Sequence, residues 1–72
     1  MNIENFAEHE ALLRANGYHS ANVTEMSSYD VDIAKETICP RCGKSCEYVG
    51  LRRDDSYLAF AVCRRDNIGE EF

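Results

Sequence analysis

The apolar positions of this chain follow two different rhythms. Over residues 3–16 they recur at helical spacing, with Phe6 and Leu13 on one face, flanked by Ile3 and Leu12. The spacing predicts a helix there. Asn5 with Glu8 three positions later forms a capping-box pattern, acidic residues crowd the first turns, and Gly17 is placed to end the helix. Residues 19–30 are polar and weakly periodic, with Val23 and Met26 as their strong apolar positions. They read as a loop with at most one helical turn from Ser20. Val31 and Ile33 alternate with acids, which permits a short strand.

From Ile38 the rhythm changes to period two. Cys46 to Arg52 and Tyr57 to Cys63 read as two strands, and Arg53-Asp54-Asp55-Ser56 between them is a turn signal. With Arg53 and Ser56 flanking the turn, Cys46 falls opposite Cys63. One face of the hairpin then carries Cys46, Tyr48, Tyr57, Ala59, Ala61 and Cys63. The other carries Val49, Leu51, Leu58, Phe60 and Val62 and makes the small core. Ile68 and Phe72 supply a last short strand. The expected fold is small α+β: an N-terminal helix laying Phe6 and Leu13 on a C-terminal antiparallel hairpin or three-stranded sheet. Its parts are an N-terminal helix (1–18), a polar linker with a possible short strand (19–37) and a cysteine-bearing unit (38–72), together one structural domain.

A chain of 72 residues buries only about 60% of its unfolded surface, which leaves it in need of a staple. The four cysteines are the available source. The N-terminus lacks a basic region and no long apolar run follows, so neither a secretory leader nor a membrane span is expected. The expected compartment is the reducing cytoplasm, where clustered cysteines more often bind metal than pair. The formal charge is -5. All the excess acid precedes the cysteines, since residues 38–72 carry six basic and six acidic side chains. That balance argues against a general phosphate-binding surface.

Cys39-Pro40-Arg41-Cys42-Gly43 is the strongest chemical signal. Two thiolates two residues apart chelate one tetrahedral metal ion, and the glycine lets the backbone turn so that amides point at the sulfurs. The last 35 residues resemble the zinc ribbon family: knuckle, hairpin, second knuckle, short strand. The resemblance implies one structural Zn²⁺ and a second knuckle at Cys63-Arg64-Arg65-Asp66-Asn67. A regular ribbon carries a cysteine where Asp66 stands, usually followed by glycine. The fourth ligand is therefore a choice. Cys46 is the expected one beside Cys39, Cys42 and Cys63, because the hairpin register brings it next to Cys63, with Cβ atoms about 4.5–5.5 Å apart. Asp66, at the family's position, is the alternative, and His9 or His19 could reach the site if the N-terminal segment folds back. A metal-free reading pairs Cys46 with Cys63 or leaves all four thiols inert.

Arg41, Lys44, Arg64 and Arg65 flank the proposed ligands, where they offset the charge of a thiolate-rich centre or contact an anion. The hairpin tip resembles the ribbon of transcript elongation factor S-II, in which an acidic pair after an arginine reaches into RNA polymerase and helps to hold a metal. Asp54 and Asp55 are similar in place; as a solvated turn they need no function. The expectation for the whole chain is a zinc-binding protein-interaction module without catalysis. A nucleic-acid-binding or polymerase-associated ribbon is the alternative, disfavoured by the acidic balance.

Overall fold

The computed structural model describes residues 2–22 and 28–72. The elements run β1 (Ile3–Glu4), α1 (Phe6–Ala15), β2 (His19–Ser20), α2 (Ser28–Glu36), β3 (Glu47–Arg53), β4 (Ser56–Cys63) and β5 (Ile68–Glu71). The fold is α+β. The strands form one antiparallel sheet in the order β1-β5-β4-β3-β2. The expected three-stranded core is present, and two short strands from the N-terminal half extend it at both edges.

The hairpin keeps the expected register, from Arg53 opposite Ser56 to Glu47 opposite Val62. Its two faces separate two buried clusters, because alternate residues of a strand point to opposite sides. Val49, Leu51, Phe60 and Val62 share one cluster with Phe6, and Leu13, Tyr18 and Leu58 pack around it. The Phe6 and Phe60 rings meet edge to face, centroids 5.2 Å apart. This is the expected docking of the N-terminal helix. Cys39, Cys46, Ala61, Cys63 and Ile68 form the second cluster on the opposite face, together with Ala34 of α2.

That second helix departs from the sequence reading. Residues 28–36 are helical where a polar linker and a short strand were expected. Val31 and Ile33 alternate like a strand, but the buried pair is Val31 and Ala34, one helical turn apart. Ala34 is fully buried in the cluster that includes Ala61 of the sheet, and its weak hydrophobicity hid the period. Val23 and Met26 lie outside the described residues. No helix among the described residues is long and apolar enough to cross a membrane.

Helix α1 ends as expected. Gly17 takes φ +96°, the Tyr18 amide bonds the Leu13 carbonyl at 3.1 Å, and the Gly17 amide bonds that of Arg14 at 3.1 Å. This is a Schellman closure with Gly17 at the left-handed position. The start of the helix differs. It begins at Phe6, because residues 3–4 are a strand, and Asn5 adopts φ 51° with no side-chain bond to the helix backbone. The Asn5 and Glu8 side chains bond each other instead, at 2.8 Å. The first free helix amides find their partner at Asn67: the Phe6 amide donates to its backbone carbonyl at 3.0 Å, and the Ala7 amide to its side-chain Oδ1 at 2.8 Å.

Candidate metal centre

Two turns meet at the end of the hairpin remote from its tip. The first follows α2. Its backbone closes through the Gly43 amide to the Cys39 carbonyl and the Cys39 amide to the Lys44 carbonyl, each 2.9 Å, and Ile38 bridges Ser45 beyond it. Gly43 stands at φ +73° with open space where a Cβ would lie. Its glycine answers the backbone angle and not crowding.

The second turn joins β4 to β5 and repeats the plan. Cys63 and Asp66 occupy the positions that Cys39 and Cys42 hold in the first turn. Asn67 follows at φ 53°, as Gly43 follows Cys42. Asparagine is among the few residues that enter the left-handed region readily. The Asp66-Asn67 pair thus stands where the first turn has Cys42-Gly43, with the same sign of φ at its second residue.

Cys39, Cys42, Cys63 and Asp66 converge, their sulfurs and carboxylate oxygen all within 4.8 Å of one another. The Cys39 thiol donates to Asp66 Oδ2 at 3.4 Å and the Cys63 thiol to the same oxygen at 3.6 Å, while the Cys42 and Cys63 sulfurs stand 3.6 Å apart. Cys39 and Cys63 are buried, and Cys42 and Asp66 are half-buried. This group is able to hold a metal ion.

Cys46, the expected fourth ligand, is not in this group. It is buried in the cluster with Ala34 and Ile68, and its amide bonds the Thr37 carbonyl at the end of α2 at 2.9 Å. It shares that cluster with Cys63, but the paired register ends one residue earlier, at Glu47 opposite Val62. A register of two strands does not contain the turn after Cys63, and that turn folds Asp66 back onto the Cys63 sulfur. His9 and His19 also lie outside the group. The His9 ring packs against Phe6 and Phe60, and His19 pairs with Arg52 across the sheet's other edge. All four cysteines are free thiols, so the Cys46–Cys63 pairing is not formed.

The electrostatics follow from crowding. Burial opposes ionisation of Cys39, but the Cys42 and Arg41 amides aimed at its sulfur prevail and hold its pKa below the ordinary thiol value. At Cys63 the Asp66 amide favours the thiolate, yet burial and the neighbouring Cys39 and Cys42 sulfurs prevail and push the pKa up to about 11. The Cys39 thiol hydrogen bond holds the Asp66 carboxyl below the usual carboxylate range, against the cost of burial. Burial, then the negative charge of Cys39 and Cys42, raises Cys46. Three crowded sulfurs that share their protons with one carboxylate form a set whose ionisation a cation would favour.

The flanking cations divide into two kinds. Arg41 pairs with Glu4 at 2.8 Å, and Arg64 pairs with Glu10 at 2.9 Å and Glu47 at 2.7 Å. Lys44 and Arg65 have no ion-pair partner among the described residues, and with Cys42 and Cys63 they line an open cleft of about 160 Å³. At the other end of the hairpin, Asp54 and Asp55 are exposed on the turn, Asp54 at φ 51°. The seven strand steps from Ser56 to Cys63 put them more than about 20 Å from the centre.

No family model, curated protein or solved structure matches this chain. The residue that the sequence reading left without a role is Asn67. Its signal was available: an asparagine after Asp66, where Gly43 follows Cys42, is a left-handed position with a spare side chain.

Proposed function

We propose that this chain is a small zinc protein of the ribbon kind, with one structural Zn²⁺ on Cys39, Cys42, Cys63 and Asp66, acting as a protein-interaction module without catalysis. The observation that carries the zinc reading is the convergence of four ligand atoms from two turns of the same plan. A tetrahedral zinc with Zn–S near 2.3 Å and Zn–O near 2.0 Å separates two sulfurs by about 3.8 Å, and sulfur from oxygen by about 3.5 Å. The separations of 3.6 Å between Cys42 and Cys63, and of 3.4 and 3.6 Å from sulfur to Asp66, suit that ion. Thiolates also favour zinc over the harder oxygen-seeking cations.

The interaction role rests on charge. The net charge of -5 lies on the N-terminal half, and Asp32 and Glu36 of α2 are exposed. That surface suits a basic protein face. The nucleic-acid reading loses support at the knuckles, where Arg41 and Arg64 are committed to acids of the same chain.

Metal analysis of protein purified without chelator tests the first half. The expected result is one zinc per chain, with loss of structure on chelation, because structural zinc supplies roughly 10–16 kcal/mol in small zinc-finger peptides. Substoichiometric metal with the fold intact ends the reading. Salt-dependent binding to DNA or RNA, together with no binding to basic proteins, would replace the interaction role by the nucleic-acid one.

A further inference from the structure

The contacts between the two turns and the N-terminal segment point beyond a passive staple. We infer that occupancy of the metal centre controls the docking of β1 and α1, with Asn67 as the coupling residue; this rests on the zinc reading above. Helix α1 lacks a side-chain cap of its own. Its first amides would be left without helix partners, and Asn67 accepts two of them, as its carbonyl takes Phe6 N–H and its Oδ1 takes Ala7 N–H. The Asn67 side-chain amide also donates to Asn5 Oδ1 at 2.8 Å, which holds the left-handed Asn5 in place.

Asn67 is the residue after the Asp66 ligand, in a turn whose shape the ligands share. Three further contacts run from the ligand-bearing turns to the same segment. Arg41, between Cys39 and Cys42, pairs with Glu4 of β1. Arg64, beside Cys63, pairs with Glu10 of α1 and lies 5.5 Å over the Phe6 ring. Both turns therefore hold the first ten residues, and the metal holds both turns together. Losing the ion frees the turn, removes the cap and loosens Phe6 from Phe60. The apolar face of Val49, Leu51, Phe60 and Val62 is then uncovered. Metal occupancy becomes a switch for exposing that face.

Coupling of this kind is reciprocal: what docks the helix also tightens the metal. The test uses Asn67→Gly, which keeps the left-handed turn and the backbone acceptor for Phe6 but deletes the side-chain acceptor for Ala7 and the bond to Asn5. Asn5→Gly leaves the cap in place and removes the Asn5–Asn67 side-chain bond from the helix side, away from the ligands. Zinc affinity is measured by competition with a chromophoric chelator. Amide hydrogen exchange is followed at Phe6 and Ala7, with Leu51 and Phe60 as references within the hairpin. Each variant is expected to bind zinc about fivefold more weakly, the size set by one or two hydrogen bonds, and the double variant no more weakly than about either alone. Zinc removal is expected to speed exchange at Phe6 and Ala7 before the hairpin amides. Unchanged affinity in both single variants overturns the coupling, and so does equal protection of Phe6 and Ala7 with and without zinc in a folded chain. If chelation unfolds the whole chain, the affinities decide. A wild-type chain that binds no zinc overturns the metal reading itself, and metal analysis of that chain reads this separately.

Discussion

Gly69 is the floor on which Phe6 rests: a Cβ built at Gly69 would stand 2.6 Å from Cδ1 of the Phe6 ring. Phe6 is fully buried, so its ring has no free direction in which to yield. Gly69→Ala should therefore destabilise the protein through overpacking by about 1–3 kcal/mol. Urea denaturation of the zinc-loaded protein checks this, and an unchanged midpoint would mean that the helix relaxes away from β5 without cost. Phe6→Ala, which leaves a cavity against Phe60, should cost more, about 3–5 kcal/mol.

Asp66 is expected to be a direct ligand. Loss of an outer-sphere partner of a metal site typically costs 10–100-fold in affinity, so Asp66→Ala should weaken zinc by more than about tenfold. Asp66→Cys, which completes the second knuckle, should bind at least as tightly as the wild type. Chelator competition measures both. Wild-type affinity in Asp66→Ala would remove the carboxylate from the ligand set.

Cys46→Ala separates the two candidate sets directly. Because Cys46 packs with Ala34 and Ile68 outside the converging group, the variant should retain one zinc per chain. Its stability should fall by about 0.5–1.5 kcal/mol, the cost of a small deletion in a packed interior. Cobalt substitution gives the same answer by another route, since thiolate charge-transfer absorption should correspond to three bound sulfurs in both wild type and variant. Loss of that absorption in Cys46→Ala would place Cys46 on the metal.

The Glu10 pair predicts a pH effect. The hydrogen bond from Arg64 chiefly holds the Glu10 carboxyl below its ordinary value of 4.5, against burial and with help from Arg14. A depressed carboxylate stabilises the folded state above its unfolded pKa, and that contribution is lost as pH falls through the folded value. Wild type should thus be more stable than Glu10→Gln at neutral pH, by about 1 kcal/mol or less because the Arg64 partner is open to solvent. The difference should shrink below pH 4.5. Paired urea titrations across that range check it, and a constant difference would exclude the ion pair as its source.

Much of this molecule was legible one element at a time. The hairpin register followed from a turn signal between two alternating runs, and the helix stop at Gly17 from one glycine. Cys39, Cys42 and Cys63 were legible from spacing and from the strand end. These are local or nearest-neighbour properties, and short-range sterics and hydrophobic alternation decide them. The second helix was not legible, because nine residues with Val31 and Ala34 as the buried pair carry too little apolar surface to declare a period. Burial of Ala34 in the cluster on the sheet stabilises it, and that cluster exists only once the sheet has formed.

The choice between Cys46 and Asp66 also belonged to the tertiary structure. By itself the sequence determined that two thiolate-bearing turns would meet at one end of a hairpin. Which fourth group joins the three sulfurs depended on how the turn after Cys63 folds back, with Asn67 left-handed and its side chain spent on a helix sixty residues earlier in the chain. The cap that α1 lacks and the turn that holds Asp66 are one arrangement. It comes into being when distant segments pack, because a helix's unpaired amides take their partner from whatever the fold places in front of them.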